Sequence, residues 1–279
     1  MNARLAPTIV THANWHAELQ LGFTARDERT VLSHRKHIGP LLVQRPFYPE
    51  GSVCHVYLIH PPGGIAGGDH LQLRAQLAAG THALITTPAA TKFYRAAPGR
   101  VSVLQQHLQL QSATLEWLPQ ETIYFNQAQA RTTTRVELDT ASRFVGWEIN
   151  CYGRRAGNEP FVAGRIHQGL ELWLSGKPLL LDHLQVVGGA PMQQAVWGLQ
   201  GKGALGTLLA YPATTADVQS LRDLEIDAQL SVTLVDGVLV CRCLSSDGAL
   251  VKQNLLKVWQ HLRPRIIGRE VVLPRIWAT

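Results

Sequence analysis

The sequence predicts a mainly β protein whose short strands stack in β-helix-like or solenoid-like layers, with a few helices chiefly near the C-terminus. Three observations carry this. Apolar and polar residues alternate with period two in one segment after another; a unit of strand, small-residue turn and second strand recurs about every 31 residues; and spacing at three and four is sustained only late in the chain. A two-sheet sandwich would alternate in the same way, so the repeat is what favours stacked layers.

Taken in order, Trp15 to Phe23 alternates cleanly, and so do Leu71 to Arg74 and Leu108 to Gln111, each reading as a half-buried strand. The repeat copies run from Leu77 to Pro88, Leu108 to Pro119 and Val136 to Trp147. Matching Leu84 with Leu115 and Pro88 with Pro119 sets their period. Leu239 to Leu244 alternates as well, which puts the thiols of Cys241 and Cys243 on one sheet face. A Cys-x-Cys pair without a second pair reads as core packing rather than a closed thiolate site.

A short helix is expected from Thr215 or Ala216 to about Leu224. A longer one starts at the cap Ser246-Asp247 and carries Val251, Leu255, Val258, Trp259 and Leu262 on one stripe before Pro264 stops it. That stripe either covers the sheet core or docks a partner helix, and packing at home is favoured. The chain is expected to form a single domain, 1–279, with a β body over about 12–210 and a mixed region with helices over about 211–279.

Composition bounds the function. With 279 residues, 46% hydrophobic and 16% charged, the chain can bury a large core. A net charge of +6 and a pI near 9.4 admit anionic partners, but the basic residues are scattered and form no arm, which suits an acidic protein better than nucleic acid. The first ten residues lack the pattern of an export signal and no apolar run spans a bilayer, so a cytoplasmic, non-membrane protein is expected, its four cysteines reduced.

The densest motif is His60-Pro61-Pro62-Gly63-Gly64-Ile65-Ala66-Gly67-Gly68-Asp69. Two prolines remove two backbone donors, and four glycines in six positions raise the entropy cost of ordering, so something requires this backbone. One reading is a sharply folded loop, with Gly63, Gly64, Gly67 and Gly68 as its structural elements, that brings Asp69, His60 and His70 to a polar site. The other is a β-arc whose glycines only supply positive φ. Enzyme motifs fail elsewhere. Gly201 to Gly206 matches G-x-G-x-x-G, but the following Thr207 to Pro212 reads as a strand ending at proline, so the strand-loop-helix context is missing and a turn is expected. There is no P-loop, no G-x-S-x-G elbow and no H-E-x-x-H helix, and the twelve histidines are dispersed.

The order of motifs resembles the urease accessory protein UreD (UreH) family. The matching segments are Gly39-Pro40-Leu41, Gln44 to Glu50, His60 to Asp69, Thr86 to Arg95, Leu115 to Glu121, Gly146-Trp147-Glu148, Cys151 to Arg154 and Leu273 to Trp277, which together cover nearly the whole chain. The resemblance implies a β-helix-like body and a non-catalytic role in urease maturation: with UreF and the GTPase UreG, the protein would join apo-urease and carry transient Ni(II) inward through an internal passage, in a complex that a dimer would suit. No tightly bound cofactor is implied. Such a passage needs oxygen or imidazole ligands that release a borderline cation readily.

Within the matching segments, Asp69, Glu116, Glu121 and Glu148 are the candidate ligands. Each has an ordinary structural reading too: Asp69 capping its own turn, Glu116 facing solvent on a strand, Glu148 pairing with an arginine such as Arg154. Lys92, Tyr94 and Arg95 could likewise organise a buried polar network. Two other functions stay open at this point. One is a β-solenoid hydrolase acting on a polymer with Asp69, Glu116 and Glu148 as acid and base; the other is a basic nucleic-acid-binding module.

Overall fold

The computed structural model describes residues 14–154, 157–224 and 230–278. Its strands are β1 (His16–Arg26), β2 (Arg29–Ile38), β3 (Leu42–Val43), β4 (Cys54–Ile59), β5 (His70–Leu77), β6 (His82–Thr86), β7 (Thr91–Phe93), β8 (Ser102–Leu110), β9 (Thr114–Leu118), β10 (Thr122–Tyr124), β11 (Gln129–Leu138), β12 (Arg143–Arg154), β13 (Glu159–Pro160), β14 (Arg165–Leu174), β15 (Lys177–Val187), β16 (Ala204–Tyr211), β17 (Leu230–Val235) and β18 (Val238–Ser245). The helices are α1 (Thr215–Arg222) and α2 (Gly248–Leu262).

These strands wind as a β-solenoid. The chain passes from β5 through β6 to β7, then β8, β9 and β10, then β11 and both halves of the long β12, so each pass adds one parallel strand to each of three ladders. The first ladder also takes β1 and β14, and antiparallel β2 and β15 close its two edges. The second ladder starts at β4 and continues past β12 into antiparallel β16, β18 and β17.

The repeat is real, but its offset varies. The first two coils are 33 residues apart on the first ladder (Leu77 opposite Leu110), 32 on the second (Ala83 opposite Leu115) and 31 on the third (Thr91 opposite Thr122). Each turn of the second coil is one residue shorter than its counterpart, 111–113 against 78–81 and 119–121 against 87–90. Leu84 therefore faces Glu116 rather than Leu115, a correction of one residue to the sequence match.

Two apolar cores result. One fills the solenoid with Leu19, Leu73, Leu108, Trp117, Val136, Phe144 and their neighbours; the other lies between the outer face of the second ladder and α2, where Val251, Leu255, Val258, Trp259 and Leu262 are buried. With both faces covered, β4 and β6 are buried along nearly their whole length. The α2 stripe therefore packs at home, and Cys241 and Cys243 are buried in the same layer. Asp247 caps α2 by accepting the Ala249 N–H. Pro264 does not stop the chain at once: a π turn over Arg263–Ile267 follows, closed by Gly268 N–H to Arg263 O, and that wider turn has no use for the N–H that proline lacks.

Helix α1 carries a capping box between Thr214 and Asp217. As the sequence predicts, the Gly201 segment is a turn leading into a strand, β16.

Candidate functional site: the polar interior of the solenoid

The His60–Asp69 segment crosses the third side of the solenoid between β4 and β5. Ile65 makes a parallel bridge with Phe93, so the loop supplies the first rung of the third ladder. Its glycines divide by cause. Gly63 and Gly68 hold φ of +78° and +94°, whereas a Cβ on Gly64 would lie 2.4 Å from the Tyr94 ring and one on Gly67 would lie 2.6 Å from the Ala96 Cβ. Asp69 braces the loop: Oδ1 accepts the Trp15 N–H at 3.0 Å and Oδ2 accepts the Ala66 N–H at 2.8 Å. Asp69→Ala should therefore lower stability by about 1–2 kcal/mol in urea unfolding, and Asp69→Asn, which keeps one acceptor, should fall between it and wild type. Equal stability of all three would show that the ladder bonds hold the loop without the carboxylate.

Glu116 is fully buried rather than solvent-facing, and it points out of the solenoid toward the chain after α2. Its carboxylate receives Arg263 Nε at 2.9 Å, Trp259 Nε1–H at 2.7 Å and His82 Nε2 at 2.9 Å. Burial alone would raise its pKa; the bonds from His82 and Arg263 outweigh this and bring it to about 2. Arg263 also reaches Glu50 at 2.7 Å, and His55 closes the chain on Glu50 at 2.7 Å. Glu121 is half-buried in a shallow pocket on the third side, beside Cys151 and Asp247. There, burial and the two carboxylates push the Cys151 thiol up to about 12.

Glu148 is placed differently. Alternation along β12 turns Trp147 out toward α2 and Glu148 inward, where it lines a cleft of about 620 Å³ between the first ladder and β16–β18. The same cleft holds Asn150, Gln168, Asp182, Lys202, Thr207 and Arg242. Arg154 does not pair with Glu148; it binds Glu159 at 2.6 Å. Instead Glu148 Oε1 lies 2.5 Å from Thr134 Oγ1, which in turn lies 2.7 Å from Gln106 Oε1. Gln106 lines a second, smaller cavity of about 160 Å³ with His60, Ile65, Leu73 and Lys92 behind the glycine-rich loop. A polar line thus crosses the solenoid from the cleft to this cavity.

A parallel set joins Tyr124 to Thr132, Asn150 and Gln168, with Tyr152 donating to Gln168 at 2.7 Å. Burial, with repulsion from Asp182, pushes the Glu148 carboxyl up to about 7 against the bonds from Thr134 and Asn150. At the other end His60 Nε2 is buried without a hydrogen-bond partner, and burial lowers its pKa despite Asp69.

The four candidate carboxylates are therefore not brought together, and no group of three or more His, Cys, Asp or Glu side chains stands arranged for a metal among the described residues. Lys92 parts from Tyr94 and Arg95: Lys92 lines the small cavity, while Tyr94, which covers Gly64, and the exposed Arg95 line one surface pocket together with Arg154 and Glu159. Thr134, Gln106, Gln168 and Asp182 were not foreseen. Their signal lies in strand parity, since Thr132 and Thr134 share the inward face of β11 with Ala130, Val136 and Leu138.

Of the carboxylates in this solenoid, then, Asp69 braces a loop, Glu116 neutralises an arginine and Glu148 lines a cleft. Comparison with known proteins gives the class of the molecule, a urease accessory protein. The model of the UreD urease accessory protein family matches residues 16–278, and the chain belongs to that family. Urease accessory protein UreD of Klebsiella pneumoniae subsp. pneumoniae is 44% identical over 269 residues, covering 95% of this chain and 96% of that protein. Its counterpart in Klebsiella aerogenes is 43% identical over 269 residues, with 95% and 97% covered. That of Pseudomonas entomophila is 43% identical over 267 residues, with 95% of each covered. The family is one of urease maturation factors rather than catalysts. No helix among the described residues is long and apolar enough to cross a membrane.

Proposed function

We propose that this chain is the cytoplasmic scaffold and nickel-transfer component of a urease maturation complex, working with UreF and the GTPase UreG on apo-urease. The observation that carries this reading is the line Glu148–Thr134–Gln106, which joins the cleft to the smaller cavity through the solenoid interior. Oxygen donors of this kind bind a borderline cation weakly and exchange it, as cargo requires. Asn150 and Gln168 widen the oxygen lining at the cleft, and the His60 imidazole, held neutral by burial, offers a softer ligand at the far end.

In this reading Asp69 keeps the loop over the small cavity in place, and Glu116 and Glu121 lie off the route. Nickel is substrate here, not a resident cofactor.

Co-expression with urease and its other accessory proteins at limiting nickel tests the route. Omission of this chain should leave urease synthesised but nickel-poor. Glu148→Gln and Thr134→Val should remain folded and bound to UreF yet deliver several-fold less nickel per urease active site. Full metallation by both folded variants would remove the interior route; full metallation without the chain would remove the role itself.

A further inference from the structure

The outer face of the first ladder carries an arrangement that the interior route does not use. Strands β1 and β5 run parallel with His16 directly opposite His70, and both rings lie outside the solenoid because their neighbours Ala17 and Leu71 are buried inside. The ring centroids are 5.4 Å apart with planes inclined at 66°. Each ring is oriented by an acceptor on one nitrogen: His16 Nε2 lies 2.9 Å from Glu18 Oε1, and His70 Nε2 lies 3.3 Å from Gln105 Oε1.

An oxygen acceptor at Nε2 fixes the proton there and leaves Nδ1 with a free lone pair. Metal-bound histidines divide their two nitrogens in this way, with a carboxylate or carbonyl on the second. A cation about 2.1 Å from one nitrogen of each of two rings holds their centroids roughly 4.5–5.2 Å apart, for ligand angles between octahedral and tetrahedral. The observed separation is slightly wider, and the His16 side chain, 53% exposed, is free to close the difference.

We propose that His16 and His70 form a surface site for a borderline divalent cation, nickel(II) among them, bound through the two Nδ1 atoms with water at the remaining positions. Two neutral imidazoles select Ni(II), Cu(II) or Zn(II) over Mg(II) and Ca(II), whose preferred ligands are oxygens. Glu18 offsets the added charge, while Arg74 and Lys36, which both act on Glu18, oppose it. With only two protein ligands the site is weak and fast to exchange. His70 directly follows Asp69, so the site stands at the end of the loop that covers the small cavity. The assignment does not depend on the interior route, because binding is measured on this chain alone.

The test is calorimetric titration of the full chain with nickel(II) chloride in a non-coordinating buffer, for wild type, His16→Gln, His70→Gln and, on the same face, His183→Gln. Circular dichroism establishes that each variant is folded. His16→Gln and His70→Gln should each weaken one binding event at least tenfold, and His183→Gln should leave it unchanged. An unaltered titration in the folded His16→Gln/His70→Gln double variant would overturn the site. Equal weakening by His183→Gln would overturn it too, by showing diffuse adsorption to imidazoles of this face.

Discussion

Arg263→Met should destabilise the protein by about 3–5 kcal/mol, or prevent it from accumulating folded, because it strands Glu50 and Glu116 in a site from which water is excluded. The guanidinium is fully buried and binds both carboxylates, and it also donates to the Glu270 carbonyl. The control separates charge from packing. Glu50→Gln/Arg263→Met/Glu116→Gln removes all three formal charges, so it should recover much of the loss in urea unfolding; a triple variant as unstable as the single one would show that Arg263 acts through its packing.

The same cluster contributes to the acid limit of the fold. The folded-state pKa of Glu116, about 2, lies below its ordinary value of 4.5, so the folded state binds the proton less readily than the unfolded chain does. The stability this contributes is complete above pH 4.5 and is lost as pH falls toward 2.

Glu148→Gln should stabilise the protein at pH 8 by about 2–3 kcal/mol and leave it nearly unchanged near pH 5. The carboxyl's folded-state value of about 7 is above the ordinary 4.5, so the proton is bound more tightly in the folded state. That contribution is present in full below pH 4.5 and disappears as pH rises through 7, where folding must keep an ionised carboxylate beside Asp182. An amide of the same shape avoids the charge. Equilibrium unfolding of both proteins between pH 5 and pH 8 measures the difference, and a gap that does not grow with pH would refute the placement here of a carboxyl buried without an ion-pair partner. The gain in stability also ensures that any loss of nickel delivery by this variant is not a loss of fold.

Period-two alternation gave away β1, β5 and β8, and a run at three and four gave away α2, because both patterns are written in consecutive residues. The offset of the repeat was less legible. Turns that differ by one residue shift each ladder separately, and no single period describes 33, 32 and 31. Of the candidate residues, Asp69 sits beside its partners in sequence and its bracing role could be anticipated. Glu116 and Glu148 could not be told apart, since both stand on strands near a tryptophan. One faces α2 and the other the interior because β9 and β12 pair at an odd offset, Val145 opposite Glu116, so opposite parities turn inward, and the lengths of the intervening turns set that offset. Thr134 and Gln106 were hidden because a polar residue at an inward position looks, in one sequence, like a lapse in alternation.

The reversed strands β2 and β15 at the edges of the first ladder determine how large this body can grow. A parallel ladder has no intrinsic length, and an open end would template a further strand from any passing chain, which is the route to fibrils. At one end β2 offers Arg35 and Lys36 between exposed histidines, a run that repels its own kind when brought edge to edge. Extra coils could therefore be inserted between the capping strands but not appended beyond them. The solenoid is a unit of fixed reach, its number of coils set by the chain itself.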